Sequence, residues 1–322
     1  MIKIPRCYDS HLHWLYTGRI NSELDLKSLL APEEIQNNQN IQNCFRGKWL
    51  IGFGWDHFQW SEKKLPCKEI LDPIFSHNPV AFTRVDGHCI WVNSQALSEI
   101  YQRYSTLDLP GIDKNTSGQP TGLLYDQALD RLQALIPAPD REQNKQFLLI
   151  AQKDFLNAGF THIRDVGSSP EVIELAFELE QENRQKIFVE HFCYCSSLAE
   201  WDKLASKIEK WRKIPMRHNR VLGIKLFLDG ALGSEGAYIN CNYQSKNDKD
   251  PNRQGYLLIE PKVLSQLIEV SWQRGLEVAI HSIGDKASEV ILDCVEKLAI
   301  RNKTGKLHIE HVEVLQEKTI QQ

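Results

Sequence analysis

The stretch NKQFLLIAQKDFLNAGFTHIRDVG, residues 144–167, sets the rhythm that decides the fold. Its first part carries apolar residues at helical spacing and stops at Gly159, a common helix terminator. FTHIRDVG then reads as a short strand. The alternation continues to the end of the chain. Helices are expected at 171–184 (EVIELAFELEQENR), 198–211, 261–275 and 286–300. Strands are expected at 186–195 (KIFVEHFCYC), 220–230 (RVLGIKLFLDG), 276–285 (LEVAIHSIGD) and 306–315 (KLHIEHVEVL). Strands separated by amphipathic helices make βα units and a parallel sheet. With residues 5–13 as an opening strand, the count is six. A closed (β/α) barrel has eight, and the sequence stops where a seventh is due.

Residues 14–158 lie between the opening strand and this run, as an insertion within one domain spanning 1–322. The polar tract QNNQNIQN (36–43) carries no evident chemistry, and PGIDKNTSGQPTG (110–122) reads as a loop. Hydrophobic residues make up 42% of the 322 and charged residues 25%, as in ordinary globular proteins. A net charge of −4 with no basic cluster argues against a nucleic-acid partner. No apolar run is long enough for a membrane span, and MIKIPRCYDS lacks a signal-peptide core, so a cytoplasmic location is expected. The eight cysteines are scattered without a C-x-x-C pair and read as free thiols. With 11 histidines, any metal site is expected to be built from nitrogen and oxygen.

DSHLHW (9–14) places His11 and His13 two residues apart. In a strand such a pair shares a face, with backbones roughly 7 Å apart. Two imidazoles there can converge on one metal ion. H-x-H alone, however, more often marks hydrogen-bonded core histidines. Other chemistry-bearing residues recur at comparable places. Lys225 interrupts the apolar strand VLGIKLFLDG, where a buried cation is costly unless it is paired, neutralised or led to an edge along its own stem. His281 stands late in VAIHSIGD, and His311 in HIEHV. Barrel enzymes draw their catalytic groups from the C-terminal ends of several strands, and this set fits that layout.

DSHLHW, GIKLFLDGALGS, VAIHSIGD and HIEH together resemble the amidohydrolase superfamily, and within it the YtcJ-type branch that includes N-substituted formamide deformylases. GFGWDHFQW, RVDGHCIWVNSQAL and GQPTG in the insertion are similar to the same branch, so the resemblance runs from about Pro5 to Leu315. It implies an α/β, TIM-type (β/α) barrel of the metal-dependent hydrolase kind, lacking the last strands, with a large insertion after strand 1 that lines the pocket. His11, His13, Lys225, His281 and His311 match the family's metal ligands, with Lys225 the lysine that is carboxylated and bridges two metals in many members. The implied cofactor is a divalent metal, one or two zinc ions. The implied reaction is hydrolysis of a non-peptide C–N bond in a small amide or formamide-like substrate. His88, Trp91 and Asp229 are the expected substrate contacts.

The resemblance breaks at the family's eighth-strand aspartate, a metal ligand and proton shuttle. No residue up to Gln322 occupies that position, so the catalytic base is left unassigned. Truncation is the favoured account, beside a partner chain that completes the barrel or insertion strands that close the sheet. Asp229 and Asp285 stand near candidate ligands, but a turn role and a helix cap suit them better as bases. His88 is as well read as a loop histidine, and Trp91, with Trp55 and Trp60, as core of the insertion. A mononuclear deaminase is disfavoured, since SIGDKAS after His281 offers no glutamate. The rival from another class is an inactive relative that binds a metal, a ligand or a partner. Homo-oligomers remain open.

Overall fold

The first described strand, β1 (Cys7–Leu12), ends two residues short of Trp14. The computed structural model describes residues 7–37, 41, 44–233, 235–243, 253–301 and 303–321. The first residues expected in the opening strand, part of the 36–43 tract and Ser234 of DGALGSEG fall outside them. The chain divides into two units, Tyr16–Ala151 and the residues flanking it on either side.

After β1 come α1 (Trp14–Ser22), β2 (Leu24–Asp25), β3 (Phe45–Arg46), β4 (Trp49–Trp55), α2 (Lys68–Leu71), β5 (Val80–Arg84), β6 (Cys89–Val92), α3 (Ser94–Tyr104), β7 (Ile112–Lys114), β8 (Pro120–Tyr125), α4 (Asp126–Gln133) and α5 (Arg141–Asn157). Strands β2 to β8 form one mixed sheet in the order β2-β4-β5-β6-β8-β7, with β3 against β4. Its core strands are apolar in nearly every position because both faces are covered. Trp55, Trp60, Phe82 and Trp91 pack in one cluster, and Ile51, Ala81, Ile90 and Leu124 in another. The 110–122 segment is a correction to its reading as a loop. It holds β7, the turn and the first half of β8 of a hairpin that runs to Tyr125, the turn being built by Asn115 Oδ1 accepting from the amides of Ser117 and Gln119. Among the described residues, no insertion strand joins the other sheet.

That other sheet contains β1, β9 (Phe160–Ser168), β10 (Phe188–Tyr194), β11 (Asn219–Phe227), β12 (Glu277–Ser282) and β13 (Leu307–His311), in this order and all parallel. Helices α6 (Pro170–Gln181), α7 (Leu198–Trp211), α8 (Pro261–Gln273) and α9 (Asp285–Ile300) alternate with the last five strands, and α10 (Glu317–Ile320) follows β13. The helix starts are written locally. Ser169 and Ser197 cap α6 and α7 by accepting from the amides of Val172 and Glu200, and Pro170 and Pro261 occupy first-turn positions where no amide donor is needed.

Strand alternation sorts the two faces. Ile224, Leu226, Val278 and Ile280 point outward and pack on α6–α9 through Ile173, Phe177, Leu204, Ile208, Leu264, Ile268 and Ile291. Each such side chain contributes roughly 1.5–3 kcal/mol by leaving water. Val166, Phe192 and Ala279 point to the other face and form a small separate cluster. β1 and β13 are opposite edges of the sheet, yet His11 Nδ1 lies 2.5 Å from Glu310 Oε2. Edges that meet across the inner face show a sheet curled into a nearly closed TIM-type barrel.

Candidate active site

The inner face delivers its chemistry at the C-terminal strand ends. His11 is the fifth residue of β1, and His13 follows that strand. Asp165 fixes the exit of the chain beyond His13. Its Oδ1 accepts the Trp14 amide at 3.1 Å and its Oδ2 the Ser168 hydroxyl at 2.6 Å. Gly167 stands unpaired where the β9–β10 register slips, with φ +115°. A Cβ there would lie 3.8 Å from the His13 ring and 3.9 Å from Lys225 Cγ, so this bulge sits between the two side chains.

Lys225 is fully buried, and among the described residues its Nζ has no hydrogen-bond partner. Phe227, two residues on and on the same face, places its ring 5.1 Å from that nitrogen. Burial pushes the Lys225 ammonium down to about 8, against the pull of Glu310 in the other direction. His281 pairs across the ladder with Phe227 on one side and Glu310 on the other. Its ring is 4.5 Å from that of His311, whose ring is in turn 4.6 Å from His11.

His311 reaches this position against strand alternation. Ala279, His281, His308 and Glu310 share the inner face through direct pairing, which assigns Ser282 and His311 to the outer one. At His311 the backbone turns to φ +75° and at Val312 to φ +53°, a conformation costly for non-glycine residues, and the ring swings to the inner side. Strain of this kind collects at functional sites.

The electrostatics agree with one shared pocket. Burial lowers His13, His281 and His311, the last to about 4, and the charge of Lys225 lowers all three further. They are therefore neutral at pH 7, the form that ligates metals. Burial alone raises the Glu310 carboxyl. The His11 hydrogen bond, the charge of His11, and Lys225 and Arg164 after it outweigh burial, and the net shift is downward. Among the described residues, no three His, Cys, Asp or Glu side chains already converge to metal-ligand geometry. The donor set nevertheless suits a divalent ion with nitrogen and oxygen ligands: neutral imidazoles around a buried amine that has no hydrogen-bond partner among the described residues.

The expected substrate contacts fare differently. Asp229 is buried, and both oxygens are engaged. Oδ1 accepts from the Ile283 amide, and Oδ2 from those of Gly284 and Tyr238, at 2.8–3.0 Å. His281 Nε2 is 3.6 Å away from Oδ1. Asp229 thus ties the loop after β11 to the turn that follows His281. Trp91 is 0% exposed inside the insertion's core, with its Nε1 donating to the Cys67 carbonyl, and presents no surface to a ligand. His88 is exposed on the β5–β6 turn, where its amide donates to Asp86. Asp285 is the first residue of α9 and accepts from Asn240 and Gln316. Glu310 is not among the residues that the sequence motifs single out. Its signal was present in HIEH, where alternation puts Glu310 on the face of His308.

Parallel strands thus bring histidines, a buried lysine and a carboxylate together at the C-terminal mouth of the barrel, where enzymes of this fold carry their sites. The amidohydrolase family pattern matches residues 5–322, and the chain belongs to that family. It is 30% identical to the putative amidohydrolase YtcJ of Bacillus subtilis over 99% of its length and 60% of that protein's. It is also 30% identical to the protein LONG AFTER FAR-RED 3 of Arabidopsis thaliana, over 98% and 55%. Identity to the N-substituted formamide deformylase of Arthrobacter pascens is 21%, over 96% and 58%. The chain therefore spans little more than half the length of these curated relatives. Among solved structures, an uncharacterized metal-dependent hydrolase from Pyrococcus furiosus superposes with a TM-score of 0.72 at 27% identity, covering 98% of this chain and 62% of that one. Among the described residues, no helix is long and apolar enough to cross a membrane.

Proposed function

We propose that this chain is a metal-dependent amidohydrolase acting on a non-peptide C–N bond of a small amide, with His11, His13, Lys225, His281 and His311 as the metal-holding residues. The observation that carries this reading is the buried Lys225 amine, which has no hydrogen-bond partner among the described residues and whose charge acts on three neutral histidines. A divalent ion, zinc by the nature of the donors, supplies Lewis acidity that polarises a carbonyl and makes water acidic enough to ionise near neutral pH.

The chain's own residues prepare for that ion. At pKa about 8, a fraction of Lys225 is a neutral amine at neutral pH. That form attacks carbon dioxide: a N–C bond forms, the nitrogen loses a proton to solvent, and a carbamate anion results. The change replaces an unpaired buried cation with two ligand oxygens. The His13, His281 and His311 imidazoles stay unprotonated and keep lone pairs for a metal. Phe227 walls the lysine off from one side.

The test is zinc content of the purified chain, with hydrolysis of a panel of N-substituted amides and formamides beside it. One or two equivalents of zinc, lost in Lys225→Ala, with turnover of an amide, is expected. A folded chain that binds no zinc overturns the reading in favour of a non-catalytic relative.

A further inference from the structure

We propose that Glu310 is a positioning residue: it holds the imidazole of His11 by its Nδ1 and presents Nε2 to the metal pocket. The proposal rests on the metal reading above and adds a residue outside that ligand set.

Three observations carry it. The Glu310 carboxylate is 2.5 Å from His11 Nδ1, the short contact expected of a charge-assisted hydrogen bond. An ionised carboxylate can only accept, so the proton of this bond sits on Nδ1, which leaves Nε2 as the nitrogen that can ligate. The position of Glu310 is fixed by the sheet and not by a loop. It pairs with His281 in the β12–β13 ladder, on the inner face, and is buried to 8% exposure. The contact joins opposite edges of the six-stranded sheet, residues 299 apart in sequence. One carboxylate on β13 therefore sets the ring orientation of a histidine on β1, while the next residue, His311, brings its own ring to within 4.6 Å of the same imidazole. Carboxylates behind ligating histidines fix the tautomer and orientation of the ring, and their loss weakens metal binding about 10–100-fold.

Two measurements test this on the full chain with Glu310→Gln and Glu310→Ala. The first is the ring tautomer of His11 in metal-free protein, read from long-range proton–nitrogen-15 correlations and assigned with His11→Asn. Wild type and Glu310→Gln, whose amide carbonyl can still accept, are expected to show His11 protonated on Nδ1. Glu310→Ala is expected to shift toward the Nε2-protonated form. The second is zinc affinity by competition with a chromophoric chelator: a loss of about 10–100-fold in Glu310→Ala and under tenfold in Glu310→Gln. A merely structural glutamate would leave the tautomer unmoved while lowering stability, and that result overturns the proposal. Unchanged zinc affinity in a folded Glu310→Ala overturns it too. If the alanine variant does not fold, Glu310→Asp replaces it, one methylene shorter, with the same two readouts. A tautomer shift in a wild-type background that binds no zinc supports the hydrogen bond and sinks the metal reading instead, so the two failures are distinct.

Discussion

Replacing Lys225 with methionine should stabilise the metal-free protein. The lysine is fully buried, its ammonium has no hydrogen-bond partner among the described residues, and its pKa falls from 10.5 to about 8. At 1.36 kcal/mol per unit, a drop of two to three units corresponds to about 3 kcal/mol of stability forfeited at neutral pH. Methionine matches the volume, keeps the stem's packing and carries no charge to desolvate. Removing the lysine also deprives Glu310 of a favourable charge, so a net gain of about 1–3 kcal/mol is expected. The sign of the pH dependence follows from the depressed pKa. Between pH 8 and 10.5 the unfolded lysine still binds a proton that the folded one has released, so wild-type stability from this group rises with pH. The variant's advantage should therefore be complete below pH 8 and fade toward pH 10.5. Urea denaturation of chelator-treated wild type and Lys225→Met, at pH 7 and at intervals up to 10, reads this difference directly. Other groups titrating there cancel between the two proteins. An equal or less stable variant at pH 7, or an advantage that does not change with pH, would refute the reasoning that Lys225 is held as an uncompensated buried cation.

Acidification should destabilise the metal-free chain between pH 6.5 and about 4, because the unfolded state takes up a proton at His311 that the folded state refuses, and His13 and His281 act in the same direction. His311→Phe should flatten part of that slope in pH-resolved denaturation, and an unchanged slope counts against it. Asp229→Ala should cost at least about 3 kcal/mol, since three backbone amides lose a charged acceptor; Asp229→Asn should fall between, and a loss under 1 kcal/mol in the alanine variant would show that the loops stand without it. Trp91→Ala should cost about 3–5 kcal/mol in the insertion unit and Trp91→Phe much less; a Trp91→Ala protein of wild-type stability would remove it from the core.

The barrel was legible because periodicity is written residue by residue. The strand expected at 220–230 is found at Asn219–Phe227, and the helix expected at 198–211 at Leu198–Trp211. The hairpin at 112–125 was not legible, since Gly, Asn, Thr and Pro mark its turn and its short strands alike. Trp91 shows a different limit. An aromatic on a pocket wall and an aromatic in a core obey the same preference for apolar surroundings, and only the cluster of Trp55, Trp60, Leu71, Phe75 and Phe82 closed over β6 separates them.

The site divides along the same line. Lys225, His281 and Glu310 follow from strand parity, because each faces inward in the register that their neighbours dictate. His311 does not. Parity sends it outward with Ser282, and the left-handed turn at residues 311 and 312 brings it back. Strand alternation alone excludes His311 from the mouth and admits His308. His308 in fact lies deeper on the inner face, against Phe192 and Glu277. The residue that breaks the rule is the one nearest two other histidines. His311 is exposed, so burial repays little of these unfavourable backbone angles; its ring contacts with His11 and His281 and the Val312 amide, which donates to the Ser282 carbonyl at 2.9 Å, offset part of them. On the metal reading proposed above, an ion shared by the imidazoles would supply the rest of the compensation.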